Sequence, residues 1–354
     1  MSSFPDAGKI QEGFFSEVIF PNCGKQRPEV LVGSQYGVDV SVIQLPGGMA
    51  MALTSDPLTL IPSLGLRESA WLSVQILAND MVTTGFAPMY AQFVLNLPTT
   101  VNTAQFKEYW QHVHGYCEEI GIAITGGHTG QVVGQNSTVA GGGTMITVAP
   151  ETSILTSNKA KAGNMIIVTK SAALTASSVL AMSFPETVTA KAGKEVWQQG
   201  CEAFYQTSSL QDGLVAALAS EGCTEVTAMH DVTEGGVLGA IYEMATAANC
   251  GVMVDNDKIP VGEVQKSICN IFHLDPRYVV GAGSIIIAAK AETAGNVLNR
   301  LQEKNIEAVV VGHFTENTEG KILLSNDDKK QPLTHPGLDA YWDTFYNAFA
   351  EGWK

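Results

Sequence analysis

Short apolar runs and amphipathic segments alternate along the first half of the chain. The strand-like runs cover residues 29–32, 38–43, 49–56, 89–97 and 138–150. Apolar residues recur at steps of three and four over 68–84 and again over 103–120, which is the spacing of a helix that buries one face. The pattern predicts a sheet with helices packed on it.

The second half continues this alternation. Strands are predicted at MIIVTK, TEVTAM, GVMV, SIIIAA, AVVVGHF and KILL, and helices at 174–182, 187–206, 211–220, 261–272, 291–304 and after Gly236. A last, aromatic-rich helix at 338–349 is expected to pack back on the body of the protein. Strands that alternate with helices in this way are typical of mixed α/β layers.

A polar, turn-rich segment at 151–164 separates the two halves, and such a composition is typical of a connection. The chain has 354 residues, of which 45% are hydrophobic, so it can bury an ample core and exceeds the usual size of one domain. We therefore predict two domains, residues 1–155 and 156–354.

Composition and charge exclude several classes of protein. No run approaches the roughly 18 apolar residues of a membrane span, and the N-terminus lacks a basic flank before an apolar stretch. The 20 basic and 35 acidic residues give a net charge of −15, which repels nucleic acid and anionic membranes. An anionic ligand would therefore need local cationic help, and a metal ion is the obvious candidate.

The six cysteines predict a cytoplasmic protein with reduced thiols. They are Cys23, Cys117, Cys201, Cys223, Cys250 and Cys269. They lie far apart and form neither a CxxC pair nor a dense framework for disulfides.

Four aspartates stand out by position. Asp56 and Asp231 end strands, Asp39 begins one, and Asp80 follows Asn79 inside an apolar helix. A carboxylate is costly to bury without a partner. Taken singly, Asp56 could be a turn residue and Asp231 a helix cap. The four together predict a cluster of oxygen ligands that suits Mg²⁺.

Two glycine segments are candidate phosphate contacts. ITGGHTG at 124–130 follows a short strand, and Thr233-Glu234-Gly235-Gly236 opens a helix whose free N–H groups would form an anion site. Either segment alone could be a tight turn. A GxxxxGK[ST] loop is absent, and no GxGxxG follows a strand, so the common nucleotide-binding folds are not indicated.

In this order the segments resemble the aminoimidazole ribonucleotide synthetase superfamily. The matching segments are Gly37-Val38-Asp39, Thr54-Ser55-Asp56, Asn79-Asp80 leading to Thr84-Gly85-Phe86-Ala87-Pro88, Gly126-Gly127-His128-Thr129, and His230-Asp231-Val232-Thr233-Glu234-Gly235-Gly236. Within the superfamily, residues 208–218 and 258–301 are most similar to the HypE hydrogenase maturation proteins.

The resemblance implies a PurM-like α/β fold of two domains. Its N-terminal mixed sheet pairs into a barrel in a homodimer, its C-terminal domain is an α/β sandwich, and ATP binds with Mg²⁺ in the cleft between domains. It also implies residue roles. The metal-binding acids would be Asp39, Asp56, Asp80 and Asp231. The cofactor contacts would be Asn79, Gly126, Gly127, His128, Thr129, Thr233, Gly235 and Gly236.

The chain also departs from the HypE pattern. HypE proteins end in a cysteine that carries a carbamoyl group, whereas the last cysteine here is Cys269. His128 stands where HypE has an acid followed by a lysine, and it resembles the corresponding loop of selenide, water dikinase. Cys23-Gly24-Lys25 resembles, more loosely, the cysteine and lysine of that dikinase, and a thiolate beside an ammonium can be a nucleophile. The candidate catalytic groups are thus Cys23, Lys25 and His128.

Three functions remain open from the sequence. The first is ADP-forming phosphotransfer from ATP to an oxygen of a small molecule or partner protein, in which positioning and charge neutralisation do most of the catalysis. The second is selenophosphate-type or small-molecule kinase chemistry that uses Cys23 and Lys25. The third is a scaffold or sensor that binds ATP without turnover. No local motif identifies the acceptor.

Overall fold

The computed structural model describes residues 8–58, 60–135, 140–218, 224–325 and 329–354. Cys223 and the first residues of the predicted 138–150 strand lie outside these ranges. The strands are β1 Val30–Val32, β2 Ser41–Leu45, β3 Met49–Pro57, β4 Tyr90–Pro98, β5 Ala123–Val132, β6 Ala140–Pro150, β7 Asn164–Thr169, β8 Val226–Asp231, β9 Gly251–Asp255, β10 Ile285–Lys290, β11 Ala308–Thr315, β12 Lys321–Leu324 and β13 Lys330–Pro332. The α-helices are α1 Glu12–Phe14, α2 Leu66–Val82, α3 Thr103–Glu119, α4 Leu174–Ser183, α5 Pro185–Ala192, α6 Lys194–Glu202, α7 Leu210–Ala217, α8 Gly236–Ala247, α9 Glu263–Ile271, α10 Ala294–Glu303 and α11 Ala340–Ala350.

The first sheet is mixed, with strand order β1-β2-β3-β6-β4-β5. Its neighbours pair antiparallel except β4 and β5, which run parallel. Helices α2 and α3 cover one face, where Phe93, Leu95 and Met145 are buried against Leu77 and Val113. The other face is partly open, which matters for assembly below.

The second sheet has strand order β13-β12-β9-β11-β7-β10-β8, antiparallel except for β12 and β9. Helix α8 packs on one face through Leu238, Ile241 and Met244. Helices α7 and α10 cover the opposite face, where Val297 and Leu301 are buried. A further cluster joins α4, α5, α9 and α11, so this half is an α/β sandwich with an added helical layer.

Helix α2 contacts both halves of the molecule. Leu77 and Met81 lie in the core of the first sheet, whereas Val82 belongs to the core between the second sheet and α7 and α10. Gly213 in α7 lies so close to Val82 that an added Cβ atom would be 2.7 Å from its side chain. The helix therefore relates the two halves directly.

Two predicted elements differ from the structure. The helix expected over 187–206 is interrupted by Gly193, whose φ of +93° belongs to the region that favours glycine, and it forms α5 and α6 instead. The segment ITGGHTG does not follow a short strand as a loop; it lies inside β5 at the sheet edge. The last predicted helix does pack on the body, since Tyr341, Phe345 and Ala348 are buried.

Within the described ranges, no helix combines the length and hydropathy that a bilayer span requires.

Candidate metal and phosphate site

The four predicted aspartates come from both halves and meet at one place. Asp39 precedes β2, Asp56 lies near the end of β3, Asp80 lies in the last turns of α2, and Asp231 is the final residue of β8. Asp80 and Asp231 are buried. Carboxylates thus reach the interface from three elements of the first half and one strand of the second.

Asp39 is fixed by residues of the second half. Its Oδ1 atom lies 2.7 Å from Nδ1 of His230, and its Oδ2 atom accepts longer hydrogen bonds from Ser157 Oγ at 3.3 Å and from the backbone N–H of Asp231 at 3.4 Å. Ser157 is itself buried and also contacts His230. The orientation of Asp39 therefore depends on the other domain.

Glu243 is the centre of a buried ion network behind Asp39. Its carboxylate accepts from Nε2 of His230 at 3.3 Å, and it lies 3.1 Å from the Lys9 ammonium and 3.4 Å from Nε2 of His335. Burial alone would raise the pKa of Glu243, but the charge of Lys9, the hydrogen bond from His230 and the nearby His335 ring hold that pKa well below its usual range. Glu243 is therefore ionised at neutral pH.

His230 lies between two carboxylates and is charged. Burial works to lower its pKa, yet the charges and hydrogen bonds of Asp39 and Glu243 raise the pKa of His230 to about 10. Both ring nitrogens then donate, so the ring has no lone pair for a metal ion. The ligand atoms of Asp39, His230 and Asp231 lie within 4.8 Å of one another, but both ring nitrogens of His230 already contact the carboxylates of Asp39 and Glu243.

The charges of the remaining three acids are only partly compensated by nearby cations. Burial, together with Asp39 and Glu234, raises the pKa of Asp56 to about 6, although Lys9 opposes this. Burial and the negative charges of Asp56 and Asp231 raise the pKa of Asp80 well above its usual range, although Asp80 Oδ2 accepts a 2.6 Å hydrogen bond from Thr54.

Of these three acids, Asp231 has the least satisfied carboxylate. Burial and the Asp39 carboxylate raise its pKa well above the usual range. Its Oδ2 atom is buried and has no hydrogen-bond partner among the described residues. An unpaired buried carboxylate oxygen is costly unless a cation meets it. Clustered carboxylate oxygens are the ligands that Mg²⁺ prefers, so the donor set fits a divalent cation.

The glycines that open α8 do not present free N–H groups. Gly235 donates its N–H to Oδ2 of Asp339 at 2.8 Å, and Gly236 donates to the carbonyl of Thr233 at 3.2 Å. Both N–H groups thus have partners within the protein, and the role of Thr233, Gly235 and Gly236 as cofactor contacts stays a prediction. Glycine is required for another reason, since a Cβ atom on Gly236 would lie 2.6 Å from the carbonyl oxygen of Arg277.

Asn79 links the two halves through its side chain. Its Nδ2 donates to the carbonyl of Thr207 at 2.9 Å, and its Oδ1 accepts from the N–H of Ser209 at 2.7 Å. The amide is buried and engaged at both ends. In this structure Asn79 is an anchor beside Asp80.

The segment Gly126 to Thr129 lies at a distance from the acids. Asp56 pairs with Gly143, Gly143 with Phe93, and Phe93 with Gly127, which is three strand spacings or about 14 Å. His128 pairs with Val94 on the open face of the sheet, so it is not brought to the acid cluster. Its role and that of its neighbours as nucleotide contacts stay predictions.

Cys23 and Lys25 are both exposed, near the N-terminus. The Cys23 thiol donates to the carbonyl of Ile19 at 3.3 Å. Among the described contacts, neither residue touches any of the four aspartates. The cation that does face them is Lys9, whose charge acts on both Asp56 and Asp231.

Sequence reasoning missed Lys9, His230 and Glu243 as site residues. His230 and Glu243 carried a weak signal, because each is a titratable residue in an otherwise apolar element. Lys9 carried none, since it lies 234 residues from its partner Glu243.

The mixed sheet of the first half, the α/β sandwich of the second and the acids that converge between them define a two-domain α/β protein. Family models agree. Residues 37–149 match the N-terminal domain of AIR synthase related proteins, and 161–325 match their C-terminal domain. The chain belongs to the AIR synthase related protein family, as its sequence predicted.

Curated relatives carry several names. The chain is 25% identical to the carbamoyl dehydratase HypE of Rhizobium leguminosarum bv. viciae over 78% of this chain and 77% of that protein. It is 26% identical to the selenide, water dikinase of Methanocaldococcus jannaschii over 85% and 86%. A putative hydrogenase expression/formation protein of the same archaeon is 35% identical, but the match covers 31% of this chain and 33% of that protein.

Solved structures confirm the fold class. The hydrogenase maturation protein HypE in complex with ATP has a TM-score of 0.69 at 18% identity, covering 95% of this chain and 97% of that chain. A ThiL complexed with AMPPCP and TMP has a TM-score of 0.65 at 14% identity, covering 84% and 90%. At these identities the likeness establishes the two-domain PurM-like fold.

Proposed function

We propose that the protein is an ATP- and Mg²⁺-dependent enzyme that transfers the γ-phosphoryl group to an oxygen of a small molecule or partner protein, with release of ADP. One observation carries the proposal: carboxylates from both domains converge with more negative charge than the nearby cations neutralise, and Asp231 Oδ2 has no hydrogen-bond partner within the described ranges. Relatives named as an ATP complex and as a dikinase support ATP as the phosphoryl donor.

The chain's own residues would divide the work as follows. Asp39, Asp56, Asp80 and Asp231 would hold Mg²⁺, which would neutralise phosphate charge when bound. His230 keeps Asp39 oriented. The Lys9 side chain is 45% exposed, and its ammonium group would contact the phosphates.

The transfer itself needs no covalent enzyme intermediate. The acceptor oxygen attacks the γ-phosphorus, the bond to the β–γ bridging oxygen breaks, and the acceptor proton goes to solvent or a nearby base. Positioning and charge neutralisation would supply most of the rate enhancement.

We further propose a homodimer that assembles through the open face of the first sheet. Tyr90, Val94 and Met89 are large apolar residues exposed by 39%, 41% and 40% on or beside β4, and Val132 at the end of β5 is exposed by 42%. Exposed apolar patches of this kind mark interaction surfaces.

We expect the enzyme to act in the cytoplasm. The proposed boundary between the two domains lies near residue 155, between the last strand of the first sheet and the first strand of the second.

Nucleotide binding and product analysis test the proposal. Mg²⁺ with AMPPCP should raise the melting temperature, and Asp80→Asn should abolish that rise. With ATP, Mg²⁺-dependent release of ADP is expected. Release of AMP with two phosphates would instead support dikinase chemistry, and binding without turnover would support a scaffold. If neither ATP nor AMPPCP shifts the melting temperature, the proposal is wrong.

A further inference from the structure

We propose that Lys170 is a positioning residue for the metal site, and that it sets where Asp80 stands relative to Asp231. This inference rests on the proposed function, because it gives Lys170 a task at the proposed cation site. Lys170 directly follows β7 and has a φ of +56°, which is uncommon for a residue with a side chain. Its connection to Asp80 runs through residues 206–209, called here the bridging segment.

Lys170 binds the bridging segment much as a bound cation would. Its ammonium lies 2.6 Å from the carbonyl oxygen of Ser208, 3.3 Å from that of Gln206 and 3.1 Å from that of Gly283. The charge is balanced by Oδ1 of Asp212, at 3.1 Å, whose side chain is 2% exposed. Three backbone carbonyls from two separate turns thus converge on one ammonium group.

Gly283 permits this close approach. A Cβ atom there would lie 2.4 Å from the carbonyl oxygen of Gln206, and the residue has a φ of +111°. The turn that contains Gly283 and the bridging segment are therefore in direct backbone contact, with Lys170 holding both.

The bridging segment in turn holds α2. Asn79 donates to the carbonyl of Thr207 and accepts from the N–H of Ser209. One turn earlier on the same helix face, Gln75 accepts from the Ser208 hydroxyl at 2.7 Å. Residues four apart on a helix share one face, so these contacts fix the rotation of α2, and Asp80 is the next residue after Asn79.

Asp231 is tied to the same framework. Thr169, the residue before Lys170, accepts at its Oγ1 from the N–H of Ile285 at 3.2 Å. Ile285 pairs with Asp231 across β10 and β8. Thr169 and Asp231 thus both contact Ile285, so Lys170 and Asp231 lie at the same end of the second sheet, and Asp80 is placed relative to that end.

Removal of the ammonium would take from Asp212 its ion-pair partner and from three backbone carbonyls a shared hydrogen-bond donor. The bridging segment would then relax and α2 would shift. Asp80 would no longer be held at its present distance from Asp231. Groups that orient metal ligands from behind commonly change metal affinity by about 10- to 100-fold when removed. A purely structural lysine would lower stability and leave metal affinity unchanged.

The test measures Mn²⁺ binding by electron paramagnetic resonance in the full chain, without ATP and without turnover. Lys170→Met should raise the Kd for Mn²⁺ by roughly tenfold. Arg300→Met is the matched control, because it removes an ion pair with Glu225 near the other end of β8; its Kd should stay within about twofold of wild type. The double variant Lys170→Met with Asn79→Ala should be no weaker than the weaker single variant, because both act through one route.

The outcomes separate this inference from the function on which it rests. A wild-type chain that binds no Mn²⁺ would overturn the metal site itself. A wild-type chain that binds Mn²⁺, with a folded Lys170→Met that binds equally well, overturns only the role of Lys170. If Lys170→Met does not fold, the isosteric Asp212→Asn takes its place; its Kd should rise several-fold, and an unchanged Kd would overturn the inference.

Discussion

Oδ1 of Asp39 lies 2.7 Å from Nδ1 of His230, and the two side chains are 7% and 1% exposed. This ion pair joins the two domains where the proposed metal ligands meet. The other ring nitrogen contacts Glu243, so His230 is held from both sides and Asp39 has little freedom to turn away.

His230→Leu should destabilise the fold strongly. It leaves Asp39 and Glu243 buried without their shared partner, and breaking a buried pair from one side costs about 3–5 kcal/mol. The melting temperature should fall by roughly 10 °C, measured by thermal unfolding. His114→Leu is the control, because His114 lies 3.9 Å from Glu118 on an exposed helix face, where a pair is worth at most about 1 kcal/mol. Equal melting temperatures for the two variants would contradict the role of His230.

Asp231→Asn should stabilise the metal-free protein and weaken its response to Mg²⁺ with AMPPCP. The substitution removes a buried carboxylate whose Oδ2 meets no hydrogen-bond donor in the described part of the chain, so a rise in melting temperature of about 2–4 °C is expected. Differential scanning fluorimetry with and without Mg²⁺ and AMPPCP measures both effects. Asp255→Asn, which alters a surface pair with Lys258, is the control. If Asp231 only capped α8, Asn would serve nearly as well and the nucleotide response would be unchanged.

Local sequence pattern predicted the acids but not their partners. Asp39, Asp56, Asp80 and Asp231 were visible because each interrupts or ends an apolar element, and that signal is short-range. The contact between Gly235 and Asp339 joins residues 104 apart, and nothing near Gly235 indicates that its N–H group is already occupied.

The fold was predictable for a similar reason. Strand and helix periodicity is local, so both sheets and most helices were expected, whereas the interruption at Gly193 depends on a single backbone angle. The sequence did not predict that Gly126 to Thr129 lie within a strand, because a glycine-rich run lacks the side chains that are typical of strands. This segment is a strand because its backbone pairs with β4, whose residues are distant in the sequence.

The metal-free protein should become more stable as the pH falls from about 7 to about 5. Asp56 has a folded-state pKa of about 6 against about 3.9 when unfolded. Between those values the folded chain binds more protons than the unfolded chain, so stability rises as pH falls. The raised pKa values of Asp80 and Asp231 act in the same direction.

His230 does not reverse this trend. Its folded-state pKa of about 10 gives stability that is fully present below about 6.5 and is lost only as the pH rises through the folded value. Thermal unfolding across this pH range, with and without Mg²⁺, is the measurement. Mg²⁺ should flatten the profile, and Asp56→Asn should reduce its slope. A slope that Asp56→Asn leaves unchanged would assign the effect to the other acids with raised pKa values, which are Asp80, Asp231 and Asp339.

Val94→Lys should dissociate the proposed homodimer. Val94 projects from the open face of the first sheet, and a charge at the centre of an apolar interface is costly to bury. Light scattering after size exclusion should change from dimer to monomer. Tyr346→Lys, at an exposed position of α11, should leave the dimer intact. A wild-type monomer would contradict the assembly without affecting the metal site.

Lys9 and Lys25 should differ sharply in their effect on nucleotide affinity. The Lys9 ammonium contacts Glu243 and its charge acts on the acid cluster, whereas Lys25 is exposed and makes no described contact with the aspartates. A hydrogen bond to a charged group contributes about 1.5–3 kcal/mol, so Lys9→Met should weaken binding of Mg²⁺ with AMPPCP by roughly 10- to 100-fold. Isothermal titration calorimetry measures this affinity, with Lys25→Met as the matched control.

Cys23→Ser should retain ATP turnover, because the proposed transfer does not use the thiol. Loss of turnover in Cys23→Ser and Lys25→Met, with Lys9→Met unaffected, would instead favour the chemistry in which Cys23 and Lys25 act directly.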